Sequence, residues 1–201
     1  SNHDSPRVAS RLGERESLAL AIFLLALPGS FYIYNGQELS LPDAQLLDSD
    51  RQDPVYFRTE GKAKGRDGAR VPLPWNSKEI NFGFSRARPW LPIPQEWQSL
   101  CINRQEEDFE SSLNLYRLAL SKRREIKSAG AHIKWESTGG DGCLSFAREN
   151  YLFILNTTNS EITYEVQGRL LLASDSKTIP SENGIKLAPL SSCWVNKRVT
   201  R

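Results

Sequence analysis

An amide, an imidazole and a carboxylate stand next to one another in Asn2, His3 and Asp4. Pro6 then fixes the backbone, and Arg7 adds a guanidinium. A carboxylate can accept hydrogen bonds from hydroxyl groups, and an imidazole can donate one to the same ligand. The combination predicts a polar site that binds a ligand.

Two further motifs follow in the chain. The first covers residues 27–38 and reads LPGSFYIYNGQE, and the second covers residues 65–75 and reads GRDGARVPLPW. A tripeptide such as the one at 2–4 recurs by chance, whereas three motifs in a fixed order form a specific signature. The long element at 65–75 is the most specific part of it.

In this order, the three motifs resemble the C-terminal part of a family 13 glycoside hydrolase, in the α-glucosidase and oligo-1,6-glucosidase branch of the α-amylase superfamily. Clear motifs run from Ser1 to about Lys127. The resemblance implies a retaining α-glucosidase that hydrolyses terminal α-linked glucose from malto- or isomalto-oligosaccharides. Such a reaction passes through an oxocarbenium-like transition state that carboxylates stabilise. The implied partner is an oligosaccharide substrate, with no cofactor and no metal.

The resemblance also assigns roles to individual residues. Asp4 would be the catalytic carboxylate that holds sugar hydroxyls and favours the distorted ring, and His3 would bind the same sugar. Arg66 matches an arginine that reaches into the substrate pocket, and Arg70 is a second candidate for substrate binding. Taken singly, Asp4 could be a capping or loop-pairing carboxylate, His3 a structural histidine, and the arginines members of surface ion pairs. Arg7 is predicted to be structural.

The sequence also departs from the family. The usual Tyr-Gln-Gly-Glu-Glu element reads YNGQE at residues 34–38, so Glu38 is kept and one acid is lost. No nucleophile and no acid/base can be assigned in this chain. Because the sequence contains no methionine, we expect that Ser1 is not an initiator position and that the N-terminal part of the same barrel precedes it. The isolated chain is therefore predicted to be inactive.

Two other functions share the same resemblance. One is a transglycosylase or isomerase, such as a trehalose synthase or sucrose isomerase, which would differ in its products. The other is a non-catalytic homologue, such as the ectodomain of a transporter heavy chain. The joint presence of His3, Asp4 and Arg66 argues against the second.

Apolar patterning predicts the elements that would position these motifs. Residues 15–27 form a helix that is apolar nearly all round and ends at a Pro-Gly pair. Residues 31–34 form a short β-prone run, and residues 111–126 form a helix with acids before it and bases in its last turns. By resemblance, these are the seventh helix, eighth strand and eighth helix of an eight-fold barrel, and residue 1 lies at the end of strand 7.

A long loop over 37–110 separates the predicted strand from the last helix. Seven of the eleven prolines lie there, together with Trp75, Trp90 and Trp97. Because disordered segments are poor in aromatic residues, the tryptophans favour a functional loop. They could stack on sugar rings, but anchoring of the loop is the favoured interpretation.

Beyond residue 128 the composition changes to short β-prone runs separated by polar turns, which is typical of an antiparallel sandwich. The runs cover 132–135, 143–146, 151–156, 162–166, 169–173, 185–187 and 192–195. The predicted fold is therefore the C-terminal part of a (β/α)8 TIM barrel over 1–128, followed by a β-sandwich domain over 129–201.

Composition excludes several other classes. A net charge of +2, with both signs spread along 201 residues, lacks the basic footprint of a nucleic-acid-binding protein. The apolar run at 18–27 is too short to cross a bilayer, so no membrane contact is predicted. Three widely separated cysteines have no metal-ligand spacing and favour a reduced, cytoplasmic location.

Overall fold

The computed structural model of the chain describes residues 1–136 and 140–198, and in these ranges it contains five α-helices and eight β-strands. The α-helices are α1 (Val8–Leu12), α2 (Glu14–Leu25), α3 (Pro54–Arg58), α4 (Ile102–Glu107) and α5 (Ser112–Glu125). The strands are β1 (Lys134–Glu136), β2 (Cys143–Arg148), β3 (Tyr151–Asn156), β4 (Ile162–Glu165), β5 (Arg169–Ala173), β6 (Ile179–Pro180), β7 (Gly184–Leu187) and β8 (Ser191–Asn196). Short 3-10 helices cover Asp48–Asp50, Asp67–Arg70, Ile80–Gly83, Gln95–Leu100 and Ile126–Ala129.

The chain forms two units, each assembled from two segments. Unit 1 contains residues 1–14 and 33–114, and unit 2 contains residues 15–32 and 115–201. The three motifs that suggested a ligand site lie largely in unit 1. Unit 2 contains most of α2 and α5 together with the β-strands. The domain boundary at 128/129 stays a prediction for the complete protein.

The two longest helices lie where the apolar pattern predicts them. Helix α2 begins one residue before the predicted start and ends at Leu25, just before the Pro-Gly pair at 28–29. Helix α5 covers almost all of the predicted range and continues as a 3-10 turn. In the part of the chain that the structure describes, no helix is long and apolar enough to span a membrane. The cytoplasmic location stays a prediction.

The segment predicted as a long loop, 37–110, is packed around a core that it shares with Leu113 of α5. It contains no long helix, but α3, α4 and four 3-10 turns are present, which the sequence analysis did not predict. Trp97 is buried in this core and therefore anchors the segment, as predicted. The buried core residues are Leu39, Leu41, Ala44, Leu46, Val71, Leu91, Trp97 and Leu113.

Two antiparallel sheets make up the β part of unit 2. Their strand orders are β1-β2-β3-β8-β5 and β4-β7-β6. Seven of these strands lie within one or two residues of the predicted runs, which confirms the antiparallel region. The sequence analysis missed β6, because it is a two-residue edge strand that includes a proline.

Strand β3 is covered on both faces. Leu152 and Ile154 lie in a core cluster that also contains residues of β4 and β7. Phe153 lies between Phe146 and Trp194 on the neighbouring strands, with ring centroids 4.9 and 5.5 Å away. Helix α2 covers this second face: Phe23 packs edge-on to Phe146 at 5.0 Å, and the Trp194 indole donates a hydrogen bond to the Ile22 carbonyl. Burial on both faces explains why β3 is an uninterrupted apolar run.

The strand predicted at residues 31–34 is absent. Before Lys134, the described residues form one isolated bridge, between Asn2 and Ser5, and no strand. A parallel barrel strand takes its hydrogen bonds from neighbouring strands, and the described residues supply no such strand beside residues 31–34. Tyr32, which lies within the predicted strand, is exposed to solvent. The barrel of the complete protein stays a prediction.

Replacing Leu25 by alanine is expected to destabilise unit 2 strongly. Leu25 is fully buried at the end of α2, and its truncation leaves a cavity, so we expect a loss of about 2–5 kcal/mol in the free energy of unfolding. Urea denaturation followed by circular dichroism measures this free energy of unfolding. As a matched control, Leu118→Ala removes a leucine of α5 that is 47% exposed and should change stability by less than about 0.5 kcal/mol. Equal midpoint shifts for both variants would contradict the packing described here.

Candidate active site

A tight turn presents His3 and Asp4 to solvent. The Asn2 side-chain oxygen accepts hydrogen bonds from the Asp4 backbone N–H at 2.8 Å and from the Ser5 hydroxyl at 3.0 Å. Asparagine side chains stabilise turns in this way. The carboxylate of Asp4 and the imidazole of His3 therefore project from a fixed backbone.

The Asp4 carboxylate lies between cationic side chains. Its Oδ1 accepts hydrogen bonds from Arg66 Nη1 at 2.8 Å and Arg70 Nη2 at 3.0 Å, and its Oδ2 lies 3.2 Å from His3 Nε2. Desolvation by itself would raise the pKa of Asp4. The hydrogen bond from Arg66 and the charges of His3 and Arg66 outweigh that effect, so the pKa of Asp4 lies below its ordinary value. Asp4 is consequently ionised at neutral pH.

Arg66 is held in place by a second carboxylate, that of Asp53. Arg66 Nε donates to Asp53 Oδ2 at 2.7 Å, and Arg66 Nη2 donates to Oδ1 at 3.2 Å. The backbone N–H groups of Arg66 and Val55 donate to the same carboxylate, at 2.9 and 3.0 Å. These hydrogen bonds, that from the Arg66 side chain above all, hold the pKa of Asp53 well below its usual range. Arg66 therefore bridges a buried carboxylate and an exposed one.

The backbone on either side of Arg66 lies close to Asp53. Gly65 has φ +73°, and a Cβ added there would lie 2.7 Å from the Asp53 Cβ, so a side chain at this position would displace Asp53. Asp67 is fully buried, and its Oδ2 accepts the backbone N–H groups of Gln52 and Asp53 at 2.8 and 2.9 Å. Gly65 and Asp67 thus fix the position of Asp53, the carboxylate that Arg66 contacts.

Arg70 connects the same 3-10 turn to the N-terminal turn. Its Nε donates to the His3 carbonyl at 2.8 Å, while its Nη2 reaches Asp4. Arg66 and Arg70 are the N-cap and the last residue of the short helix Asp67–Arg70, and so both reach one carboxylate. The structure brings together all four predicted site residues.

Arg7 lies behind this cluster and is 1% exposed. Its Nη1 donates to the Asn35 carbonyl at 2.8 Å, and its Nη2 donates to the Ala69 carbonyl at 3.0 Å. Its guanidinium also stacks over the Tyr34 ring, 5.1 Å from the centroid. In the described part of the chain, the Arg7 side chain donates to backbone carbonyls and to no carboxylate. Its role is structural, as predicted.

The space beside the cluster is small. A cavity of about 200 Å³ is lined by Ser5, Asp43 and Arg66, among others. Pockets that enclose a small organic ligand usually measure about 300–1,000 Å³. Anchoring is the interpretation favoured for Trp75, Trp90 and Trp97, but Trp75 and Trp90 are exposed, so burial supports it for Trp97 alone.

No group of three or more His, Cys, Asp or Glu side chains within residues 1–136 and 140–198 is arranged to hold a metal ion. Cys101, Cys143 and Cys193 are free, and Cys101 and Cys193 are buried. The predicted lack of a metal and of a cofactor stays a prediction.

A family profile described as "Alpha amylase, catalytic domain" matches residues 1–130. The chain belongs to the α-amylase family. This match covers all three motifs and the whole Asp4 cluster. It confirms the resemblance to family 13 glycoside hydrolases.

Relatives within the α-amylase family include several glucosidases. The chain is 36% identical over 177 residues to the protein named Probable alpha-glucosidase of Rhizobium meliloti, a match that covers 83% of this chain and 32% of that protein. It is 27% identical over 148 residues to Oligo-1,6-glucosidase of Parageobacillus thermoglucosidasius, covering 62% of this chain and 26% of the relative. The chain spans about a third or less of the length of these curated relatives.

A solved structure shows the same fold. The α-glucosyl transfer enzyme XgtA superposes with a TM-score of 0.83 at 27% identity, and the match covers 98% of this chain and 39% of XgtA. The fold of this α-amylase family chain is therefore shared with one part of a larger enzyme.

Sequence reasoning missed two acids of this α-amylase family site. Asp53 precedes Pro54 and caps α3, with its side chain accepting the Val55 N–H. The Asp-Pro pair is a helix-start signal, which marks an N-cap but carries no information about Arg66. Asp67 lies within the quoted motif, yet its burial and backbone contacts are visible only in three dimensions.

Replacing Asp53 by asparagine is expected to lower stability in a pH-dependent way. The pKa of Asp53 is lower in the folded chain than in the unfolded chain, so its contribution is fully present above about pH 4 and is lost as the pH falls towards the folded pKa. We expect a loss near the lower end of about 1.5–3 kcal/mol at pH 7, because Arg66 is partly exposed. The difference in unfolding free energy between wild type and Asp53→Asn should narrow as the pH falls below about 4.

Urea unfolding at a series of pH values provides the measurement. Asp141→Asn, which neutralises an exposed aspartate, is the matched control and should follow the wild type. A difference that is constant across the pH series would show that the Asp53 carboxylate contributes no charge-dependent stability.

Proposed function

We propose that the chain is the C-terminal portion of a retaining α-glucosidase. The complete enzyme hydrolyses terminal α-linked glucose from malto- or isomalto-oligosaccharides. The glucosidase names of the relatives support this proposal. The observation that carries it is the Asp4 carboxylate, which lies exposed and ionised between Arg66 and Arg70.

Asp4 serves this reaction as an electrostatic and binding group. Its ionised carboxylate accepts hydrogen bonds from sugar hydroxyls and favours the positive charge that develops on the ring in the transition state. His3, on the same turn, donates to a hydroxyl of that sugar. Residues outside this chain supply the nucleophile and the acid/base.

Arg66 and Arg70 keep the Asp4 carboxylate ionised and fix its direction. Asp53 in turn orients Arg66 through two parallel hydrogen bonds, a geometry that a planar guanidinium favours. The remaining N–H groups of Arg66 and Arg70 can donate to sugar oxygens. The oligosaccharide pocket is completed by the N-terminal part of the same barrel.

Asp4→Asn in the full-length enzyme should reduce turnover by about 100-fold or more, because it removes negative charge where positive charge develops. Its unfolding midpoint should change little, since Asp4 is exposed. Steady-state hydrolysis of p-nitrophenyl α-glucoside measures the effect. Asp141→Asn provides a control with the same chemical change at an exposed position. Unchanged kcat in Asp4→Asn would disprove the catalytic assignment.

The isolated 201-residue chain should show no turnover of p-nitrophenyl α-glucoside above the buffer rate. The reason is that the Asp4 cluster borders a cavity of about 200 Å³ and that the two principal carboxylates of the mechanism are supplied from elsewhere. A folded sample, verified by circular dichroism, is incubated with substrate and monitored for released nitrophenol. Measurable saturable turnover would overturn this part of the proposal.

A second candidate is transfer or isomerisation of an α-glucosyl group. It is supported by the name of XgtA, an α-glucosyl transfer enzyme to which the chain is 27% identical with a TM-score of 0.83. The two functions share Asp4 and differ in the acceptor, which is water for hydrolysis and a sugar for transfer. Chromatography of the products that the full-length enzyme forms from maltose or sucrose distinguishes them. Transfer from maltose also releases one glucose, so only monosaccharide products without new oligosaccharides indicate hydrolysis, whereas new oligosaccharides or sucrose isomers indicate transfer or isomerisation.

A further inference from the structure

A second cavity lies within unit 2, near the C-terminal ends of α2 and α5. It encloses about 590 Å³. Four of its lining residues are cationic: Arg123, Arg124, Lys127 and Arg148. None of the described residues that line it is acidic. We refer to this space, defined by those four residues, as the basic cavity.

Arg123 is held by neutral groups. Its guanidinium donates to the carbonyl oxygens of Leu25, of Leu27 at 2.7 Å and of Gly29 at 2.6 Å. These are carbonyls at and just after the end of α2, which lack partners within the helix. Arg123 therefore caps α2 and brings a full positive charge to the cavity wall without a carboxylate partner among the described residues.

Arg148 is held in the same way and is 4% exposed. It donates to the carbonyls of Ala26, at 2.8 Å, and Gly130. Burial lowers the pKa of Arg148, and the charge of Arg123 lowers it further, with Glu149 acting in the opposite direction. The two guanidinium groups therefore lie within electrostatic reach of each other. A buried charge without an opposite charge is costly.

Arg124 and Lys127 are exposed at the cavity mouth. Within the described residues neither has an ion pair, whereas Glu125 is paired with Lys122 at 2.9 Å. Bases at the end of α5 suit the helix dipole. However, each helix end supplies roughly half a negative charge, so the two ends and Glu149 together offset about two of the four positive charges. A clear excess of positive charge remains.

We propose that the basic cavity binds a small organic phosphate. A concave site lined by charges of one sign concentrates ions of the opposite sign, and Arg and Lys are the residues that bind phosphate in proteins. The walls also include Leu27, Pro28 and Leu120, which can pack against the apolar face of an organic group. The volume suits a molecule larger than a phosphate ion.

Isothermal titration calorimetry with the 201-residue chain tests the proposal. The probe is glucose 6-phosphate at constant ionic strength, with inorganic phosphate and glucose as comparison ligands. We expect saturable binding of one glucose 6-phosphate, binding of inorganic phosphate that is several-fold weaker, and no binding of glucose. Because the readout is binding, failure of this proposal is separate from failure of the glucosidase proposal.

Charge-neutralising variants localise the site. Arg124→Gln combined with Lys127→Gln should weaken binding by about tenfold or more. The control combines Arg169→Gln with Lys177→Gln, which removes the same charge from exposed positions of unit 2 outside the cavity, and it should stay within about twofold of wild type. Lys127→Arg retains the charge and should also stay close to wild type. Equal unfolding midpoints establish that all variants are folded.

Several results would overturn the proposal. Absence of glucose 6-phosphate binding to the wild-type chain would do so directly. Equal losses of affinity in the two double variants would show a non-specific charge effect. If inorganic phosphate bound as tightly as glucose 6-phosphate, or glucose bound equally well, the organic phosphate assignment would be wrong.

Discussion

The burial of one charged side chain, Arg7, joins the three motifs of unit 1. Its guanidinium donates to Asn35 in the second motif and to Ala69 in the third, while its own backbone belongs to the first. Its Nε has no hydrogen-bond partner among the described residues. The Tyr34 and Trp97 rings, with centroids 5.1 and 5.9 Å away, offset part of that cost. Lysine could not reproduce this fork, because it lacks the planar, divergent donors.

This arrangement also constrains the backbone opposite Arg7. Gly36 has φ +84°, and a Cβ there would lie 2.8 Å from Arg7 Nη1 and 2.7 Å from the Leu41 side chain. Glycine is therefore required at this position for two reasons: the positive φ, and the lack of room for a side chain. Within the element at 34–38, the acid at position 37 is replaced by Gln37. Gly36 must be kept, because a side chain there would collide with Arg7.

The sequence predicted the elements whose stability is local or strongly patterned. Helices α2 and α5 and most strands of unit 2 follow from apolar periodicity and turn residues. The prediction of a strand at 31–34 was wrong, because a strand forms only where neighbouring strands accept and donate its hydrogen bonds, and an apolar pattern does not report those neighbours. The short helices of 37–110 were missed, since single turns held by side chains leave little periodic signal. In the site, motif chemistry selected His3, Asp4, Arg66 and Arg70, which do meet. Asp53 was not predicted, because it contacts Arg66 only in the folded structure.

The strand order of unit 2 has a consequence for how the chain is made. Strand β8 lies between β3 and β5 and pairs with both, yet it is the last of the described strands to be synthesised. Until Ser191–Asn196 leave the ribosome, β5 has no partner in the five-stranded sheet and one edge of the apolar β3 is open. The nascent chain therefore presents an unpaired hydrophobic edge. A segment that is synthesised late therefore enters the middle of a sheet whose other strands are synthesised earlier.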